Sequence, residues 1–337
     1  MARVGPNTVV VITGASGGVG RATARLFAER GAKIVLLARG KDGLEGAKRE
    51  VEARGGQARV VPTDVSDFAQ VDAAADIAER EFGPIDLWIN NAMVSMYSPF
   101  MQMLPDEFRH IVEVTFLGTA HGTQCALKRM LPRDRGVIVQ VGSALAFRSI
   151  PLQSAYCASK HAIQGLTESV RSELMHDKSK VRISVVNMPA LNTTQFIWTK
   201  NKMPHQARPT GTIYQPEVAA DAILFAAENE RREIMVGHTT VEATLGEKII
   251  PGTLDRYLAK AAWEGSMLPE AVDPKQLDNF WQPVAGDHGS HGRFDRLARG
   301  YSVQLWVTKH RAVAGALAAG LGLCALTLLK RALSNSS

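Results

Sequence analysis

Residues Thr8 to Gly20 read T-V-V-V-I-T-G-A-S-G-G-V-G, an apolar, β-branched run that breaks into a glycine-rich turn. The stretch that follows, R-A-T-A-R-L-F-A-E-R-G, repeats Ala22, Leu26 and Phe27 at helical spacing and stops at Gly31. Strand, tight turn and helix therefore succeed one another. Gly14, Gly18 and Gly20 let the backbone turn sharply and let an anion approach the amides at the helix N-terminus, where the partial positive charge favours it. The spacing G-x-x-x-G-x-G is a variant of the dinucleotide-binding fingerprint. Alone, such a loop is weak evidence, since a turn needed only for packing has glycines too.

The alternation continues along the chain. Strands are predicted at 8–13, 33–37, 59–61, 87–90, 137–141, 182–187 and 233–236, with helical stretches between them. Apolar runs separated by helices predict an α/β fold with a doubly wound parallel sheet of about seven strands and right-handed crossovers, followed by a C-terminal helical extension. A chain of 337 residues, 45% hydrophobic, is ample for one such domain plus an appendage. The second strand ends at Ala38-Arg39, where an acidic residue would grip the ribose hydroxyls of NAD. Arginine can instead pair with a ribose 2′-phosphate, so NADP(H) is preferred and NAD(H) is the alternative. Read plainly, Arg39 could also be a solvated residue at a strand end.

Tyr156 and Lys160 lie four apart in S-A-Y-C-A-S-K-H-A. On a helix they share a face, and a nearby ammonium lowers a phenol's pKa towards neutrality, which makes the tyrosine a usable proton donor and acceptor. Ser143 closes the buried run V-I-V-Q-V-G-S, at the carboxyl edge of the sheet where open α/β sheets place their ligands.

In this order the motifs resemble the short-chain dehydrogenase/reductase family, in its Tyr-x-x-x-Lys branch, over roughly residues 5–245. The resemblance implies a Rossmann-type fold and hydride transfer. It implies that Gly14, Ser16, Gly17, Gly18, Val19 and Gly20 form the cofactor loop, that Asp64 and Val65 contact the adenine, and that Asn91 and Ala92 belong to the N-N-A motif, with Met93 where the family usually has glycine. Ser143 matches the catalytic serine, which would hold a substrate carbonyl. Tyr156 would be the acid/base, and Lys160 would bond the nicotinamide ribose. Pro189 and Thr193 resemble the segment that holds the carboxamide.

Two positions depart from the family pattern. Thr115 stands where an asparagine commonly completes the catalytic group, and its shorter hydroxyl lacks the amide's paired donor and acceptor. Ala190 follows Pro189 where glycine is frequent, which asks only for a negative φ.

The segment 191–214 has aromatic, basic and proline residues without a period and reads as a loop or lid. In the family's position it covers the substrate, so Phe196 and Trp198 are candidate walls for a largely apolar ligand. Residues 1–245 are thus the expected catalytic domain. Residues 246–310 are an extension and linker, helical over 244–263 and irregular through the Pro/Gly-rich stretch beyond. Residues 311–331 are an apolar helix, within which Ala312 to Leu329 carries no charge and is bounded by basic residues. At helical rise that run spans about 27 Å, so it reads as a membrane anchor, or as a helix packed on protein.

The net charge of +6 is spread along the chain, without the basic, aromatic-interleaved stripe of a nucleic-acid binder. Cys125, Cys157 and Cys324 offer no paired framework, so a reduced, cytoplasmic setting is expected for the catalytic domain. His288 and His291 are expected to be solvated in the linker, and no metal site is assigned. The expectation is therefore an NADP(H)-dependent oxidoreductase acting on a small carbonyl or alcohol substrate, self-associating as the family usually does. The alternative is a catalytically weak dinucleotide-binding or membrane-tethered scaffold protein, motivated by Thr115.

Overall fold

The computed structural model describes residues 3–315. Seven parallel strands form the central sheet: β1 (Val9–Thr13), β2 (Lys33–Ala38), β3 (Gln57–Pro62), β4 (Leu87–Asn90), β5 (Val137–Ser143), β6 (Arg182–Met188) and β7 (Glu233–Met235). Their order is β7-β6-β5-β4-β1-β2-β3, every pairing parallel, so the direction of winding reverses between β1 and β4. The carboxyl ends of these two strands open a crevice at that switch point.

Alternate residues of the strands face opposite layers, as a pleated backbone requires. Val10, Ile12, Ile34 and Leu36 pack with Phe27, Leu44 and Ile223 on one face. Val9, Val11, Val35 and Leu37 pack with Val71, Ala78 and Cys125 on the other. Both faces are covered, which is why the central strands read as unbroken apolar runs rather than alternating ones. The edge strand β3 has one neighbour and is partly exposed; it runs from Gln57 to Pro62, beyond the predicted Arg59 to Val61, because all six residues pair with β2.

The helices nearest the crevice are α1 (Gly18–Ala28), α2 (Lys41–Ala53) and α3 (Phe68–Phe82). Then come α4 (Pro105–Ile111), a π-helical turn at Val112–Leu117, and α5 (Gly118–Met130). A long α6 (Ser154–His176) carries Tyr156 and Lys160.

Beyond β6 the structure departs from the expected loop and linker. The lid region holds a short helix, α7 (Gln195–Trp198), and is stitched to the body by three two-stranded ladders. One pairs Lys200–Asn201 with Met96–Tyr97, a second pairs Ile213–Tyr214 with Ala190–Leu191, and the third pairs His205–Ala207 with Met267–Ala271 of the extension. After α8 (Pro216–Glu228), the expected helix at 244–263 is two helices, α9 (His238–Ile249) and α10 (Pro251–Gly265), because Pro251 cannot continue a helix but starts one well. The Pro/Gly-rich stretch after residue 271 is irregular, yet it lies against the catalytic domain instead of hanging free.

The chain then forms α11 (Val303–Lys309), tied to α8 by Lys309 Nζ on Asp221 at 2.7 Å. Of the apolar run 312–329, residues 316–329 lie outside the described residues. Among the described residues no helix is long and apolar enough to cross a membrane.

Candidate active site

The glycine turn after β1 folds back on itself. Gly14 and Gly18 take φ of +67° and +52°, the left-handed region open to glycine. A Cβ on Gly20 would come within 2.3 Å of the Gly14 carbonyl oxygen, so only hydrogen fits there. Thr13 Oγ1 accepts the Asn91 and Ala92 amides at 2.9 and 3.0 Å, and Asn91 Nδ2 donates to the carbonyls of Thr13 and Gly14 at 3.0 and 3.2 Å. Asn91 thereby braces the turn from behind, while Ala92 lines the crevice with Gly14 and Ser16. The first-turn amides of α1 have no intrahelical acceptor, as at any helix N-terminus.

At the other end of the crevice Arg39, Asp64 and Val65 come together. Arg39 is not a solvated strand end. Its guanidinium donates to the main-chain carbonyls of Asn279, Phe280 (3.2 Å) and Trp281 (2.9 Å), and burial lowers its pKa against the pull of Asp64. Pro283, Val284, Gly286 and His288 from the same C-terminal stretch complete the crevice wall. Nothing in the composition of that stretch announces this role. Its Pro, Gly and Asp residues make turns wherever they occur, and only the fold brings them to Arg39.

Ser143 ends β5, where its Oγ accepts the Leu145 amide at 3.1 Å, leaving the hydroxyl proton for another partner. Lys160 is buried, 3% exposed, and donates to the Val141 carbonyl at 2.7 Å. Desolvation brings its pKa down to about 8. Its Nζ lies 5.5 Å from the centre of the Tyr156 ring. The two side chains thus share one face of α6.

The expected acidification of the phenol is not what the geometry produces. Burial pushes the Tyr156 pKa above its ordinary value, with only a hydrogen bond to Ser143 working against it. Lys160 is turned to the Val141 carbonyl, not to the phenol oxygen. Tyr97, buried beside Tyr156, is a neighbour that the sequence reading missed; its own phenol is raised chiefly by burial and then by Tyr156.

Thr115 sits in the π-helical turn, fully buried. Its hydroxyl donates to the Val94 carbonyl at 3.0 Å and accepts the Val94 amide at 3.2 Å. The hydroxyl, without the separate donor and acceptor atoms of an amide, is fully engaged by one residue's backbone. One oxygen does both, because the π turn brings it close to the strand-end backbone.

The lid residues part company. Trp198 lines the crevice near Gly14 and meets His288 edge-on with ring centroids 4.9 Å apart. Phe196 does not line it. The ring is buried against Phe294, at 5.9 Å and 85°, within a satellite core that includes Tyr97, Leu152 and Ile213. Thr193 packs on Gly18, and Pro189 packs beside Tyr214 near Gly237. The lid is further held by buried Glu107, which takes Lys200 and Lys202 at 3.0 and 2.6 Å. Of the two histidines of the C-terminal stretch, His288 is exposed as expected, whereas His291 is half-buried and bridges Glu217 and Asp295 at 3.0 and 2.8 Å.

A parallel sheet with a glycine turn at its switch point, and a serine, tyrosine and lysine on the neighbouring strand and helix, define a nucleotide-dependent oxidoreductase architecture. The chain belongs to the short-chain dehydrogenase/reductase family: the sequence model described as short chain dehydrogenase matches residues 8–204. It is 31% identical to the uncharacterized oxidoreductase YxnA of Bacillus subtilis over 315 residues, 93% of this chain and 88% of that one. It is 35% identical to dehydrogenase/reductase SDR family member 7B of Mus musculus over 265 residues, 76% of this chain and 81% of its relative. Among solved structures, a metagenomic short-chain oxidoreductase in complex with NADP superposes with a TM-score of 0.59 at 27% identity, covering 69% of this chain and 98% of the other.

Proposed function

We propose that the protein is an oxidoreductase that interconverts a carbonyl and an alcohol on a small, largely apolar substrate, using a nicotinamide dinucleotide with NADP(H) preferred. One observation carries the reading. Lys160 is a buried ammonium whose one hydrogen bond among the described residues goes to Val141, on the same helical face as Tyr156 and next to Ser143. An ammonium has three donors, so a ribose hydroxyl at this place satisfies what the protein leaves open. The crevice fits the rest of such a cofactor: a glycine turn too tight for side chains at one end, Arg39 and Asp64 at the other. The positive charge at Arg39 supports the phosphate preference.

A bound nicotinamide ring supplies the hydride in reduction and accepts it in oxidation. Ser143 orients the substrate oxygen with the proton that its contact to Leu145 leaves free. Tyr156 gives its phenol proton to that oxygen in reduction and takes one back in oxidation. Lys160 would hold the ribose of the bound dinucleotide through its free donors. The test is a panel of ketones and aldehydes with NADPH or NADH. Turnover is expected to fall about 10²–10⁴-fold in Tyr156→Phe, the share general acid catalysis contributes, while the NADPH Kd stays at the wild-type value. Full turnover in that variant would remove Tyr156 from the chemistry.

The uncharged run 312–329 adds a membrane association to this reading, by a segment of bilayer length flanked by basic residues. It would bring the enzyme to lipid-like substrates.

A further inference from the structure

The outer wall of the crevice is built from the C-terminal stretch, and its attachments are specific. Phe280 is the peg. Its ring is fully buried, edge-on to His110 with centroids 5.1 Å apart, and its carbonyl takes both His110 Nε2 at 2.8 Å and Arg39. Asp287 is the latch. Its carboxylate is bonded by Arg21, whose side chain is 4% exposed and which also pairs with Glu50 at 2.8 Å, and it lies 3.5 Å from Arg49.

The body is shaped to receive this segment. A Cβ on Gly46 of α2 would stand 2.0 Å from Asp287 Oδ2, and one on Gly17 of the cofactor turn would stand 3.2 Å from the Gly289 carbonyl. Gly40 meets Pro283 in the same way at 3.2 Å, and the Gly286 amide donates to Asp42 at 2.9 Å. Between peg and latch the segment crosses the open side of the crevice from Arg39 towards the glycine turn.

We infer that residues 279–289 form a strap over the dinucleotide site, pegged by Phe280 and latched by Asp287, which has to lift for cofactor exchange. This rests on the dinucleotide reading above. A ligand lying along the carboxyl ends of β1 and β4 has sheet on one side and strap on the other, so the latch resists its departure. Arg39 joins the two functions: three strap carbonyls use part of its five-donor fork, and the residue also lines the crevice. Substituting Arg39 therefore loosens the strap as well as removing a phosphate contact, and equal losses of NADPH and NADH in Arg39→Ala would report the strap.

The decisive comparison is Asp287→Ala against wild type, with Gly46→Ala as a second variant that displaces the latch by contact instead of charge. NADPH release, followed by fluorescence after a chase with excess NADP, is expected to quicken about tenfold or more in both, the scale of losing a charge-assisted hydrogen bond. Hydrogen exchange over 279–289 is expected to rise in the nucleotide-free variants and to fall in wild type when NADPH is added. Wild-type release rates and wild-type exchange in both variants would overturn the strap alone. Failure of the wild-type protein to take up either NADPH or NADH would overturn the dinucleotide reading, and the strap's gating role with it.

Discussion

The Tyr156 phenol and the Lys160 ammonium titrate in opposite directions for one reason: burial disfavours whichever form is charged. For Lys160 the folded pKa of about 8 lies below that of the unfolded chain, so the folded state binds fewer protons across the interval between them. Stability accordingly rises with pH through that window, and the cost of a buried charge is present below it. Dinucleotide affinity should run the other way. The ammonium is the form that donates to a ribose, so NADPH affinity is expected to weaken as pH rises from about 7 to 9 through that pKa, and Lys160→Met is expected to bind weakly with a flat profile. Fluorescence titrations at pH 7, 8 and 9 check it; a flat wild-type profile would falsify the assignment of Lys160 to the ribose. The pairing of the two side chains on one helical face was legible from their four-residue spacing. The direction of the tyrosine shift was not, since it depends on which acceptor Lys160 finds, and Val141 is nineteen residues away.

At the scale of elements, the π-helical turn between α4 and α5 matters most for the site. It carries Thr115 inward, where a single hydroxyl closes a two-way bridge to Val94 just beyond β4, and Val94 lines the crevice. In Thr115→Val the shape is kept while the Val94 amide and carbonyl are left unpaired in the interior. We expect a loss of about 2 kcal/mol, read from the urea midpoint, together with weaker dinucleotide binding. Unchanged stability and binding would mean that the bridge holds nothing in place. The strands and the glycine turn were legible because apolar β-branched runs and glycines report local conformation directly. The π turn was not: it is a one-residue adjustment inside an amphipathic pattern, visible only once the helix meets the strand end.

For the whole molecule, the extension beyond the catalytic domain divides into a part that builds the site and a part that follows it. Cutting the chain after Lys309 keeps the strap and α11 and removes the uncharged run. We expect the shortened protein to retain NADPH binding and to lose any carbonate-resistant pelleting with membranes that the full chain shows; a full chain that stays in the supernatant would remove the anchor from the reading. The local signals in the sequence determined the parallel sheet, the glycine turn and the shared helical face of Tyr156 and Lys160, because each rests on hydrophobic period, glycine conformation or helical spacing over a few residues, whereas Ser143 was singled out by its resemblance to the family's serine. Tertiary structure alone decided that Phe196 is core while Trp198 faces the crevice, and that Arg39 is held by carbonyls some 240 residues away. Those contacts depend on where a proline- and glycine-rich segment comes to rest. Such a segment has no periodicity of its own, and its path is set by the pocket for Phe280 and the two arginines that receive Asp287.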